Sequence, residues 1–233
     1  MKTAIITGGS VGIGAVTAQR FIDQDYKVYN LSRRACPVTG VENIATDLSD
    51  ENSIAAAMAV VVEDVSNSEK VALIHNACQM RKDSALECDS SDLHAVLQTN
   101  VVAANSINQK LLPEMARGSS VIFIGSTLSE KAVAGSFSYV LSKHAVIGMM
   151  RATCQDLMGS GIHTACICPG FTDTEMLRTH LGNNEEVLQS IASMNSFNRL
   201  IEPDEIAELI SWAHHNPVIN GAILHAHLGQ KES

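Results

Sequence analysis

Short apolar runs alternate along this chain with longer stretches in which apolar positions recur three and four residues apart. TAIIT (3–7), KVYNLS (27–32), NIAT (43–46), KVALIH (70–75), SVIFIG (120–125), HTACIC (163–168) and GAILHA (221–226) read as short buried strands. Between them, 12–24, 51–64, 91–116, 139–158 and 203–215 carry helical spacing. Start signals support two of these helices: Asp50 precedes the second, and Pro203-Asp204-Glu205 opens the last with acid in its first turn. Strand and helix in alternation predict a parallel sheet covered on both faces. Right-handed crossovers make such a sheet doubly wound. No repeat, low-complexity tract or linker interrupts the pattern, so one α/β domain over 1–233 with seven parallel strands is expected. The exception is 171–199, rich in Met, Leu, Asn and Ser and without a strand. It reads as a lid over a substrate, broken at Gly182-Asn183-Asn184 into two helical pieces.

Composition narrows the class. Of 233 residues, 45% are apolar and only 4% aromatic, so the core is mostly aliphatic. A formal charge of -9 argues against nucleic acid or an anionic membrane as partner. Gly8 and Gly9 interrupt the apolar N-terminal run before a targeting segment forms, and no run reaches membrane-spanning length. The six cysteines form no C-x-x-C pair and read as reduced thiols in a cytoplasmic protein. Cys166 and Cys168 share one strand face, where burial outweighs metal binding. His225 and His227 also share a face, but two ligands without a third do not make a metal site, and no metal is expected.

The candidate chemistry begins after the first strand, in TGGSVGIG (7–14). Gly8, Gly12 and Gly14 stand at a strand-to-helix turn, where glycine lets a phosphate approach the backbone. The following helix aims free amides and its positive end at that phosphate. A plain glycine turn is the alternative; its place after the first strand of an alternating pattern favours nucleotide binding. Farther along, Tyr139 and Lys143 are four residues apart and therefore share a helix face. An ammonium beside a phenol is expected to lower its pKa from the ordinary value of about 10.

In this order the motifs resemble the short-chain dehydrogenase/reductase family over nearly the whole chain. TGGSVGIG, with Thr7, Gly8, Ser10, Gly12, Ile13 and Gly14, resembles that family's glycine-rich element. Asp47-Leu48 resembles its adenine contact, and HNAC (75–78) matches its Asn-Asn-Ala-Gly stretch at Asn76 and Ala77. Asn100 in TNVVA, Ser126 in GST, and the Tyr139-x-x-x-Lys143 pair match its catalytic positions. CPGFTDT (168–174), with Pro169, Gly170, Thr172 and Thr174, resembles its Pro-Gly-x-x-x-Thr element. His75 and Cys78 depart from the pattern, as does the C-terminal LHAHLGQ around His225-Ala226-His227.

The resemblance implies a doubly wound Rossmann fold and an oxidoreductase acting on a small carbonyl or secondary alcohol. Tyr139 would exchange a proton with the substrate oxygen, and Ser126 would hold that oxygen. Lys143 would also hold the nicotinamide ribose, and Asn100 would position a water linking Lys143 to solvent. Relatives pair the helices of 91–116 and 139–158 across two-fold axes, implying a homo-oligomer, with a tetramer expected over a dimer. The end of the second strand sets cofactor choice. An acid there bonds the ribose hydroxyls of NAD, and Arg accommodates the 2′-phosphate of NADP. Ser32 stands at the acid position, followed by Arg33 and Arg34, so NADP(H) is expected over NAD(H). Two other classes share parts of the pattern: a non-catalytic nucleotide-binding regulator, and a sugar-nucleotide epimerase. Leu128, Val133, Phe137, Met176, Leu177, Leu181, Met194 and Phe197 are the apolar candidates for a substrate pocket, with Arg178 and His180 as its polar ones.

Overall fold

A computed structural model of the protein describes residues 1–231. Its strands are β1 (Lys2–Thr7), β2 (Lys27–Ser32), β3 (Val41–Ala45), β4 (Lys70–His75), β5 (Ser120–Ile124), β6 (His163–Pro169) and β7 (Ala222–Ala226). All pair in parallel, in the order β3-β2-β1-β4-β5-β6-β7. The chain winds one way from β1 to β3 and the other way from β4 onward. A crevice therefore opens at the carboxyl ends of β1 and β4, where such folds bind ligands.

Helices α1 (Gly12–Ile22) and α8 (Pro203–His215) cover one face of the sheet. Their Phe21, Ile206 and Ile210 pack on Ile6, Ile74 and Ile122. Helices α2 (Glu51–Ser66), α4 (Ala103–Leu111) and α5 (Phe137–Asp156) cover the other. There Ile54, Ile107 and Met150 meet Ile5, Leu73 and Phe123. Burial at about 25 cal/mol per Å² of apolar surface makes these two aliphatic layers the main stabilising term. The start signals act locally. The Asp50 carboxylate accepts from the Asn52 amide at 3.0 Å, and Glu202 and Glu205 form a reciprocal cap behind Pro203.

The sequence reading missed one break. In place of a single helix over 91–116, α3 (Ser90–Leu97) runs into a π-helical turn at Gln98–Val102 before α4 begins. Pro113 then turns the chain into a short 3-10 stretch at Leu112–Glu114. Apolar spacing does not register the extra residue of a π-turn, because both flanks keep their helical period. The third strand is Val41–Ala45 instead of 43–46, set by its edge pairing to Val28–Ser32. Segment 171–199 divides into α6 (Glu175–His180) and α7 (Glu185–Ala192), separated at Gly182-Asn183-Asn184. Its ends are pinned together by a parallel bridge between Thr172 and Ile201. Among the described residues, no helix is long and apolar enough to cross a membrane.

Candidate active site

Side chains within buried strands tie the glycine turn in place. Asn30, fully buried in β2, accepts from the Gly9 amide at 2.8 Å. It donates to the Arg34 carbonyl at 3.1 Å and to Asn43 Oδ1 at 2.9 Å. One amide side chain thus holds the turn after β1 against the loop after β2. Sequence reading passed over it; its signal was a lone polar residue inside KVYNLS. Thr7 Oγ1 accepts from the amides of Asn76 and Ala77 at 3.0 and 3.1 Å. Asn76 Nδ2 returns bonds to the carbonyls of Thr7 and Gly8 at 3.1 and 3.0 Å. Gly8 sits at φ +68, and a Cβ there would lie 2.9 Å from Ala77 Cα. These contacts clamp the ends of β1 and β4 together.

Above the clamp lies a cleft of about 1000 Å³. Its walls take in nearly all the positions expected to bind a cofactor. Gly8, Ser10, Gly12 and Ile13 line it beneath α1, and Ser32, Arg33, Arg34, Asp47 and Leu48 line one end. Asn76, Ala77, Pro169, Gly170, Thr172 and Thr174 complete that half. Thr7 and Gly14 are not on its wall. Thr7 works from behind through the clamp, and Gly14 lets the turn close, since a Cβ there would meet Gly8 O at 2.3 Å.

The other half holds Ser126, Tyr139 and Lys143. Asp83 sets the head of α5: its carbonyl accepts from the Phe137 amide at 3.3 Å and its carboxylate from Ser138 at 3.0 Å. Helix α5 accordingly begins two residues before Tyr139. The Lys143 ammonium, 2% exposed, lies 5.5 Å from the Tyr139 ring centre and donates to the Ile124 carbonyl at 2.7 Å. Ser126 Oγ accepts from the Leu128 amide at 3.1 Å, which fixes its side chain in the turn after β5. Gly125 before it has no room for a side chain: a Cβ would lie 2.8 Å from the sulfurs of both Cys166 and Cys168. Those two thiols are buried, 3.9 Å apart.

One electrostatic expectation is corrected. The pKa of Tyr139 is raised, not lowered. Burial is the larger effect, and the nearby Lys143 ammonium and Ser126 hydroxyl only partly oppose it. The phenol is therefore held protonated in this cleft. Burial also works against the Lys143 ammonium. The anionic forms of Cys78 and Tyr139, followed by those of Cys166 and Cys168, outweigh it and leave its pKa above the ordinary lysine value.

Asn100 stands apart from the large cleft, on a small pocket behind Lys143. Its Oδ1 accepts from the Gln79 amide at 2.6 Å, and its Nδ2 donates to the Gln79 carbonyl and to Ser142 Oγ, each at 2.9 Å. Ser142 in turn donates to the Tyr139 carbonyl at 2.8 Å. The π-turn is where this residue stitches the loop after β4 to α5.

A family model described as short chain dehydrogenase matches residues 2–185. The chain belongs to this family. Among the curated relatives of this short-chain dehydrogenase is carbonyl reductase family member 4 of Xenopus tropicalis, 27% identical over 96% of this chain and 95% of that protein. A short chain dehydrogenase family protein from Francisella tularensis subsp. tularensis SCHU S4 superposes with TM-score 0.89 at 26% identity, covering 97% of both chains. A short chain dehydrogenase from Burkholderia cenocepacia J2315, solved in complex with NADP, gives 0.87 at 26% identity, covering 98% of this chain and 97% of that one.

In this short-chain dehydrogenase the mouth of the cleft is largely apolar. Leu128, Val133, Met176, Leu177, Leu181 and Met194 line it. Phe137 and Phe197 do not; Phe197 is 64% exposed. His180 lines the cleft, but Arg178 is engaged within segment 171–199, bidentate to Asp173 at 2.6 and 2.8 Å and 3.2 Å from Glu185. Arg34 is likewise engaged, 3.1 Å from Glu175 on α6. Arg33 forms no such contact among the described residues; its charge, after the hydrogen bonds from Ser49, helps to lower the pKa of Asp47 at the same end of the cleft. Cys78, where the family carries glycine, lies 3.8 Å from the Met176 sulfur on α6. The His225 ring meets Glu130 at 3.0 Å and stands 5.9 Å from the His227 ring.

Proposed function

We propose that the protein is an NADP(H)-dependent oxidoreductase reducing a carbonyl, or oxidising a secondary alcohol, with Tyr139 as general acid–base. The carrying observation is the convergence of Ser126, Tyr139 and Lys143 on one wall of a cleft whose far end bears Ser32 and Arg33 in place of an acid. A nicotinamide dinucleotide fits that cleft: glycines at its floor allow close backbone approach, and α1 begins without a side-chain cap, leaving its first-turn amides for phosphate. When bound, it supplies or accepts the hydride. Lys143 would hold its ribose, and Arg33 its 2′-phosphate. The other cofactor contacts would come from Ser10, Ile13, Leu48, Asn76, Ala77, Gly170, Thr172 and Thr174. The relative solved with NADP supports a nicotinamide dinucleotide in this cleft, and the reading of NADP(H) over NAD(H) rests on Ser32 and Arg33.

The chain's own residues then divide the work. Ser126 holds the substrate oxygen by a hydrogen bond from its hydroxyl. Tyr139, held protonated by burial, gives its proton to that oxygen as negative charge develops there. Lys143 stabilises the phenolate left behind. Asn100, by fixing Gln79 and Ser142, keeps α5 and the loop after β4 in register with the cleft. The apolar mouth suits a substrate whose bulk beyond the carbonyl is hydrophobic.

The lid at 171–199 belongs to the same single domain and would close over the substrate. Leu141 on α5 is 37% exposed and Val102 before α4 36%, which supports burial of these helices against another copy in a tetramer. The free thiols support a cytoplasmic location. The decisive experiment follows NADPH oxidation by the purified protein across a panel of ketones and aldehydes of graded hydrophobicity. Turnover favouring apolar carbonyls is expected. Tight NADPH binding without turnover of any of them would instead identify a non-catalytic nucleotide-binding regulator.

A further inference from the structure

His75 ends β4 and takes no part in the chemistry described above. It is 8% exposed and its ring lies 5.0 Å from that of Phe123. Nε2 is 2.8 Å from Asn108 Oδ1 on α4. An amide oxygen only accepts, so Nε2 carries the proton and Nδ1 is left as a bare acceptor. Nδ1 is buried and has no hydrogen-bond partner among the described residues. A buried acceptor left unpaired loses the hydrogen bonds it had with water and gains none in return. A donor is therefore required, and none stands within hydrogen-bond distance of Nδ1 among the described residues.

The surroundings say which donor fits. His75 lines the small pocket behind the cleft together with Lys143, Asn100, Thr7 and Thr99. Its volume is about 10 Å³. One water needs roughly 10–15 Å³ measured this way, together with two or more polar partners. Asn100 cannot donate to that water, because both its amide protons go to Gln79 and Ser142. Lys143 can: an ammonium has three protons, and only one is used on the Ile124 carbonyl.

We propose that His75 is a positioning residue, holding one buried water that accepts from the Lys143 ammonium and donates to His75 Nδ1. The polarity closes without conflict from lysine to water to imidazole. It requires a neutral ring, and burial holds the pKa of His75 near 4, with the Asn108 bond working weakly the other way. The other titratable groups around the ammonium are Tyr139 on its own helix, Cys78 after β4, and Cys166 and Cys168 on β6. None of them lines the small pocket that His75 and Lys143 share. This anchor fixes the direction of the ammonium beneath Tyr139 and rests on the catalytic reading given above.

Two substitutions separate the ring's nitrogens. His75→Gln keeps an amide where Nε2 meets Asn108 and lacks the Nδ1 atom. His75→Asn places an amide oxygen near Nδ1 and gives up the Asn108 contact. The expected result is that His75→Gln lowers kcat up to about tenfold, the worth of one hydrogen bond, at unchanged KM. The same variant should shift the pH profile of kcat, whereas His75→Asn stays near the parent. The Lys143 titration, followed by NMR of carbon-13-labelled lysine, should move in the Gln variant alone. The reverse order, parental behaviour in both variants, or losses that simply track thermal stability would overturn the proposal. So would a high-resolution crystal structure of the parent without a water between His75 and Lys143. The water and the lysine titration are read without turnover. If both appear in a protein that turns over no carbonyl, the catalytic reading fails while the anchor stands.

Discussion

At the scale of single residues, the cleft depends on a few polar atoms in places that tolerate little else. Tyr139→Phe removes the proton donor and keeps the ring against the Lys143 stem. Turnover should fall by about 10²–10⁴-fold, the usual worth of general acid–base catalysis, with NADPH affinity close to the parent's. Steady-state kinetics beside a binding titration checks this; near-parental turnover would remove Tyr139 from the mechanism. At the other end of the cleft, Arg33→Ala deletes a guanidinium that would hold the 2′-phosphate. Charge-assisted hydrogen bonds contribute about 1.5–3 kcal/mol, so NADPH binding should weaken at least about tenfold and NADH binding hardly change. Ser32→Asp should move the preference toward NADH by repelling the phosphate. Equal affinities of the parent for both cofactors at one ionic strength would refute this reading of the loop. These positions were legible in the sequence because their spacing is local. Asn30 was not: its bonds to Gly9 and Asn43 cross between three strands and loops. The rise in the Tyr139 pKa was hidden for the same reason. The spacing showed the ammonium, but the burial that outweighs it comes from other elements.

Among the elements, the lid carries the clearest consequence. Helix α6 has six residues and α7 has eight, too short to be stable alone. They are held by the Thr172–Ile201 bridge at the base, by Arg34 on Glu175, and by the Cys78–Met176 contact. Arg34 and Cys78 line the cleft proposed to hold the cofactor, so ligand binding would be linked to the order of the proposed lid. Amide hydrogen exchange across 173–197 should slow on saturation with NADPH and a poor substrate, while exchange in the sheet stays fixed. Exchange there that ignores both ligands would argue against a lid. The break at Gly182-Asn183-Asn184 was visible as a composition signal. The π-turn at Gln98–Val102 was not, since the bond that ties it down, from the Gln79 amide to Asn100, joins residues far apart along the chain.

For the whole molecule, three imidazoles are buried in neutral form. His214 lies between the Tyr26 hydroxyl at 2.9 Å and Ser120 at 2.7 Å, and His163 donates to the Ala213 carbonyl at 2.9 Å. Burial depresses all three: His214 to about 2 and His75 to about 4, with His163 also below its ordinary value. In the unfolded chain each takes up a proton near pH 6.5, and the folded state does not. Their contribution is present above that pH and lost as pH falls toward the folded values. For His214 and His75, whose folded values lie below pH 5, the loss is about 2 kcal/mol each between pH 7 and pH 5, and His163 adds in the same direction. Against a typical stability of about 5–15 kcal/mol, urea unfolding should show a large drop at pH 5. Superimposable curves at the two pH values would contradict it. The exposed apolar residues beside α4 and on α5 predict a tetramer, to be checked by light scattering at micromolar concentration; a monomer would refute it.

The sequence by itself determined the alternation of elements, the parallel sheet and the order of the motifs, because apolar period and turn residues are properties of neighbours along the chain. It also determined the pairing of Tyr139 with Lys143, since a helix brings residues four apart to one side. Only the tertiary structure decided which side chains face the cleft and which stand behind it. Thr7 and Asn76 became a clamp, Arg178 was engaged within segment 171–199, and Asn100 was spent on Gln79 and Ser142. Only the fold, likewise, brought His75, with its unpaired Nδ1, to the pocket behind Lys143. The physical reason is common to all of these: hydrogen-bond partners and desolvation depend on which distant strands and helices are packed together, and spacing along one segment carries no record of that.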